Sequence, residues 1–196
     1  MQLPLPLLPT LIALLTACAS GTPGEAGGAD HAVDSGGCEI TKNVLTDTSF
    51  TQQGNFANTW RMVQHIGEPS FATETVNGEL EIRRIGTQPW MLFYQKVKDP
   101  RLSGATIRYA AELKGDLPED PPLHGFDHIG GLFLKVGKER GTLAEHDPNA
   151  GQWDWQSFSI EKKIPEGVAS VQAGFVHQAG GSLWVRSPSL VILDCN

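Results

Sequence analysis

The sequence predicts an all-β domain made of two antiparallel sheets packed face to face. Three observations predict it. Strand-length apolar runs recur through residues 38–196, each bounded by turn residues. No run keeps a helical spacing of apolar residues for more than two turns. Glycine (22) and proline (13) are abundant among the 196 residues, as a turn-rich β protein requires.

Each element follows in order. "EITKNVLTDTSF" (39–50) leads in, and "TWRMVQHIG" (59–67) is the next strand-like run. "ATETVNGELEIRRIG" (72–86) holds Asn77-Gly78 between two alternating runs, the strongest short hairpin signal, because both turn residues need φ > 0. "PWMLFYQKV" (89–97) is apolar and aromatic throughout and reads as a central strand buried on both faces. "ATIRYAAELKG" (105–115) alternates Ile107, Tyr109 and Ala111 against Arg108, Ala110 and Glu112. "GGLFLKVG", "WDWQSFSIEKKI", "ASVQAGFVHQ" and "SLWVRSPSLVIL" complete eight to ten strands.

Taken together, the pieces resemble the jelly-roll modules of the galactose-binding-like superfamily, which includes many carbohydrate-binding modules. The opening "NVLTDTSF", the "NGELEI" hairpin and "WMLFYQKV" carry the resemblance. So do the tryptophan-marked strand that turns at Ile164-Pro165-Glu166-Gly167 and the closing "GGSLWVRSPSLVIL". It spans residues 40–194 and implies a two-sheet antiparallel jelly-roll β-sandwich. Such folds host sugar binding, protein binding and purely structural roles alike. Many of these modules hold a calcium with an acidic residue just after the opening Ser-Phe and an Asp on the closing strand. Here Ser49-Phe50 is followed by Thr51, and the closing strand reads Trp184-Val185-Arg186-Ser187. Neither place supplies a carboxylate for a hard cation, so no metal and no cofactor is expected.

Ahead of the domain, residues 3–17 are apolar, too short and too proline-broken for a membrane span. The segment Leu15-Thr16-Ala17-Cys18 resembles the lipobox of bacterial lipoproteins, in which cleavage precedes a cysteine that carries diacylglycerol. Residues 1–17 are then a signal peptide and Cys18 the lipidated residue. The departure from the pattern is an n-region without Lys or Arg. The alternative is an ordinary signal peptide cut elsewhere. Residues 19–37 are rich in glycine and lack large apolar side chains, so residues 18–37 form a lipidated cysteine with a flexible tether. The resemblance places the protein outside the cytoplasm, anchored to the cell envelope. Ala19 rather than Asp after the cysteine points to the outer membrane in a two-membrane host. Cys38 and Cys195 then bracket the domain. In an oxidising compartment they are expected to pair, worth roughly 5 kcal/mol for so long a loop.

A net charge of −7 with no basic run argues against a nucleic-acid partner. The candidate ligand residues are aromatic, with packing in the sandwich core as the alternative role for Trp153 and Trp155. A ring face meets the C–H face of a pyranose, and nearby polar groups take the hydroxyls. Trp153 and Trp155 are two apart, so strand geometry puts them on one face, with Phe158 on the other. Tyr94, Gln95 and His128 are placed as polar partners from their positions. Trp184 is assigned to the core. His124, Asp127 and His128 have a spacing that would suit zinc, but they lack the helical frame of a metalloprotease site. No nucleophile elbow, P-loop or dinucleotide fingerprint occurs. Glu74, Glu79, Glu81 and Glu112 are the candidates for a glycosidase-type carboxylate pair. The reading is a non-catalytic, carbohydrate-binding envelope lipoprotein. A protein-docking envelope lipoprotein and a small glycan-active enzyme are the alternatives.

Overall fold

The computed structural model describes residues 39–40, 42–51, 59–118, 130–137, 142–143 and 150–194, all within the unit His31–Asn196. The three cysteines, the tether and His128 lie outside the described residues, as do His124 and Asp127.

Among the described residues the chain forms strands joined by turns, with one short 3-10 turn at Pro100–Leu102. The strands are β1 (Glu39–Ile40), β2 (Arg61–Gln64), β3 (Phe71–Val76), β4 (Glu79–Arg84), β5 (Met91–Lys98) and β6 (Thr106–Leu117). They continue with β7 (Gly130–Val136), β8 (Thr142–Leu143), β9 (Gly151–Lys163), β10 (Ser170–His177) and β11 (Ser182–Asp194). Two sheets result. The first runs β3-β4-β11-β6-β9, with β1 added to the end of β11; the second runs β2-β5-β10-β7-β8. Every pairing is antiparallel. The predicted sandwich is therefore correct. The β3–β4 turn is Asn77-Gly78, with φ of +53° and +80° as the hairpin signal requires.

The inward faces meet in one core. Ile107, Tyr109, Ala111 and Leu113 of β6 alternate inward, as do Phe93 of β5 and Phe175 of β10. Trp60 lies just before β2 and is fully buried, stacked 5.1 Å from Phe93 and 5.9 Å from Phe175. Its indole N–H donates to the Asp47 carbonyl at 3.1 Å. Tyr109 spans the two sheets, its hydroxyl donating to the Gly174 carbonyl at 2.8 Å. Burial pushes that phenol well above its ordinary pKa.

Three sequence expectations need correction. The β5 strand is central in its sheet, but it is buried on one face only: Met91, Phe93 and Gln95 are buried, while Leu92, Tyr94 and Lys96 are not. Trp184 is not a core residue. It sits between the buried Leu183 and Val185 and so faces out of the sandwich. The third concerns β9. Leu113 opposes Gln156 and Gly115 opposes Trp153, so Lys114 faces two residues, Asp154 and Trp155. This β-bulge inserts one residue and resets the alternation. Trp153 and Trp155 consequently leave the strand on opposite faces.

Candidate functional site

The described residues among those singled out in the sequence do not come together. Trp153 turns inward against the core, with its ring over Gly115 and edge-on to Phe158 at 5.8 Å. Phe158 thus shares the face of Trp153 rather than opposing it. Trp155 lies on the outer face of the six-stranded sheet, where the Arg186 guanidinium sits 4.2 Å above its ring centre. Gln95 points inward and is buried; its amide N–H₂ donates to the Thr46 carbonyl, and its oxygen accepts from the Thr46 N–H and hydroxyl, both at 3.1 Å. It holds the 43–50 segment and does not line a groove. Tyr94 alone projects from the outer face of the five-stranded sheet. The set is split between three places: the core interface and two opposite outer faces.

Each outer face is a candidate. On the six-stranded sheet, Arg186 is held by Glu112 at 2.7 Å and Glu79 at 3.4 Å. These contacts raise its pKa. Lys114 lies 5.4 Å over Trp184. Beside this ladder, a polar depression of about 580 Å³ is lined by Asn43, Ser49, Asn77, Glu79, Arg186 and Ser187, among others. Ser187 has φ of +51°, a left-handed conformation within the irregularity that interrupts the β11 ladder. On this face Arg186 is neutralised by its two carboxylate partners.

The five-stranded sheet differs. Across β2, β5, β10 and β7, the register sets Arg61, Tyr94, Gly174 and Phe133 in one row. The next row holds Lys96, Gln172 and Lys135. Gly174 is required there: a Cβ would lie 2.5 Å from the Tyr94 Cα and 2.1 Å from the Phe93 carbonyl oxygen. Without that side chain, Tyr94 and Phe133 approach to 6.2 Å between ring centres. Phe133 and Val176 point outward yet are only 4% and 2% exposed. The centre of this face is therefore covered, with half-buried Tyr94 beside it and exposed Lys96 at its margin.

No family model matches the chain, and no curated protein matches it in sequence. Solved structures match it in fold. A CBM4 carbohydrate-binding module aligns over 76% of this chain and 99% of its own, with a TM-score of 0.51 at 18% identity. TmCBM61, solved in complex with β-1,4-galactotriose, aligns over 76% of this chain and 98% of its own, with a TM-score of 0.50 at 15% identity. The chain shares their jelly-roll fold. The enzymatically active domain of tailspike protein 4 from bacteriophage CBA120 gives a TM-score of 0.56 at 13% identity, over 76% of this chain. This chain spans 21% of that tailspike chain. Identities this low carry the fold and not the ligand.

The sequence reading missed Phe133, Gly174, Arg61, Lys96, Gln172 and Lys135. Part of the signal was present. In "MLFYQKVK", Tyr94, Lys96 and Lys98 share one parity, and the buried Phe93 and Gln95 and the partly buried Val97 share the other.

Proposed function

We propose that this chain is a non-catalytic glycan-binding domain whose ligand lies along the outer face of the five-stranded sheet. The observation that carries the reading is the cross-strand row built on Gly174, in which the partly exposed Tyr94 ring packs 6.2 Å from the covered Phe133 ring. The solvent-facing part of such a ring accepts the C–H face of a sugar. Gln172, Arg61 and Lys96 lie within one strand or one step of it and supply the polar partners that orient hydroxyls. The jelly-roll neighbours support the reading, since two of them are carbohydrate-binding modules. A non-catalytic role is supported by two of the four candidate carboxylates, Glu79 and Glu112, which are both engaged by Arg186. We also read the chain as an envelope lipoprotein anchored through Cys18, with the 18–37 segment as tether and Cys38 bonded to Cys195. The pairing is supported by the β1–β11 register, in which Glu39 opposes Asp194.

A second face has a specific claim. Trp155 and Trp184 both face outward from the six-stranded sheet, next to the polar depression. Two single substitutions separate the faces. Isothermal titration of the purified protein against a glycan panel is expected to find a binder. Tyr94→Ala should weaken it roughly tenfold, the scale of one lost aromatic contact, while Trp155→Ala leaves it unchanged. The reverse pattern moves the site to the six-stranded sheet. Binding to no glycan leaves the protein-docking role of an envelope domain.

A further inference from the structure

The geometry points to an acidic glycan, a chain of uronic-acid units, as the ligand of the five-stranded sheet; this rests on the glycan-binding reading and names the class of glycan. The chain as a whole is acidic, with 22 Asp and Glu against 15 Lys and Arg. The four long strands of this sheet reverse that balance. Residues 61–64, 91–98, 130–136 and 170–177 contain no Asp or Glu. They contain Arg61, Lys96, Lys98 and Lys135, and the alternation turns all four outward.

Their arrangement follows the aromatic row. Lys96 and Lys135 flank Gln172 on either side, one strand each away. That separates the two lysine Cα positions by roughly 10 Å, twice the strand spacing. Arg61 stands beside Tyr94 in the adjoining row. None of the four makes an ion pair with a described residue. On the other sheet, by contrast, Arg108 meets Glu161 at 2.6 Å and Arg186 meets Glu112 at 2.7 Å.

A lone surface lysine is ordinarily solvated and says nothing about ligands. Segregation is the informative feature here. Cations without local partners on one face of an acidic protein create a positive field that concentrates anions there. The aromatic row makes the face suited to a sugar chain rather than to a small anion, because the ring contacts carbon and the cations contact carboxylate. A nucleic acid would need a longer run of cations than these four to hold its backbone.

The test measures affinity of the purified full-length protein for two uronate polymers, polygalacturonate and alginate. Fully methyl-esterified polygalacturonate serves as the uncharged counterpart, and a single-stranded DNA oligonucleotide as a second polyanion. The acid form is expected to bind roughly tenfold more tightly than the ester. That preference should fade as ionic strength rises from roughly 0.02 M to roughly 0.3 M. The double variant K96Q/K135Q, unchanged in thermal stability, should bind both forms alike. Equal affinity of the native protein for acid and ester, or for DNA and polyuronate, overturns the inference. So does an acid preference that survives in K96Q/K135Q. Tyr94-dependent binding to neutral glycans alone overturns the acidic class and leaves the glycan-binding reading standing. Binding to none of the polymers and to no neutral glycan sinks both.

Discussion

Gln95 and Gly174 show how one residue's environment decides its role. Gln95 lies in a strand between Tyr94 and Lys96, and its side chain takes the opposite side from both. Its three bonds to Thr46 bind the 43–50 segment to the sheet. Gln95→Leu removes those bonds and leaves the Thr46 backbone groups to water or to nothing. We expect a loss of about 1–2 kcal/mol in urea denaturation, with glycan affinity unchanged. A variant of native stability and reduced affinity would return Gln95 to the binding site. Gly174 acts at both surfaces of its strand. Its carbonyl accepts the Tyr109 hydroxyl inside the sandwich, and its missing side chain lets Tyr94 approach outside.

At the scale of elements, β1 and β11 set the ends of the domain. Glu39 opposes Asp194 and Ile40 opposes Leu193. The residues next to Cys38 and Cys195 in sequence are thus cross-strand neighbours. A bond closing this long loop mainly restricts the unfolded chain. Reductant is expected to lower the unfolding free energy by about 2–5 kcal/mol. An unfolding midpoint that is identical with and without reductant removes the disulfide. The β9 bulge is the other decisive element. Period-2 alternation predicts one face for Trp153 and Trp155, and one extra residue opposite Lys114 sends them to two. An edge strand tolerates that insertion because it has only one partner to match. From sequence, the hairpin at Asn77-Gly78 and the alternation of β6 were legible, since both depend on local chemistry. The bulge was not, because it is defined by the neighbouring strand.

The whole molecule carries a pH dependence in its core. His177 of β10 is fully buried, edge-on to Phe71 at 5.4 Å, with Nε2 3.3 Å from the Gly181 carbonyl. Burial foremost, and the Arg84 charge as well, lower its pKa from 6.5 to about 4, against the Gly181 bond, which raises it. Arg84 is itself bound to the carbonyls of Ala179, Pro89 and Gln178, at 2.7, 2.9 and 2.8 Å. Between pH 6.5 and pH 4, the unfolded chain takes up a proton at this histidine that the folded chain does not. Stability must therefore fall as pH drops through that window. The loss is on the order of 3 kcal/mol by pH 4, the integral of the shift. Denaturation midpoints measured from pH 7 down to pH 4.5 test this, with His177→Gln as the variant that flattens the slope. A native midpoint that stays level across the window contradicts the assignment.

By itself, the sequence determined the two-sheet sandwich, most of its strands and the Asn77-Gly78 turn. Those follow from side-chain alternation and turn chemistry, which are properties of neighbours along the chain. It also placed Tyr94 among the candidate residues. Only the tertiary structure decided which aromatic rings share a face, that Gln95 is a core fastener, and that Trp184 looks outward. It also brought Arg61, Lys96 and Lys135 from three separate runs to one face, whose described strands β2, β5, β7 and β10 carry no Asp or Glu. Such juxtapositions depend on cross-strand register and on a single inserted residue. Both are set by pairing between segments far apart in sequence, where local periodicity carries no information.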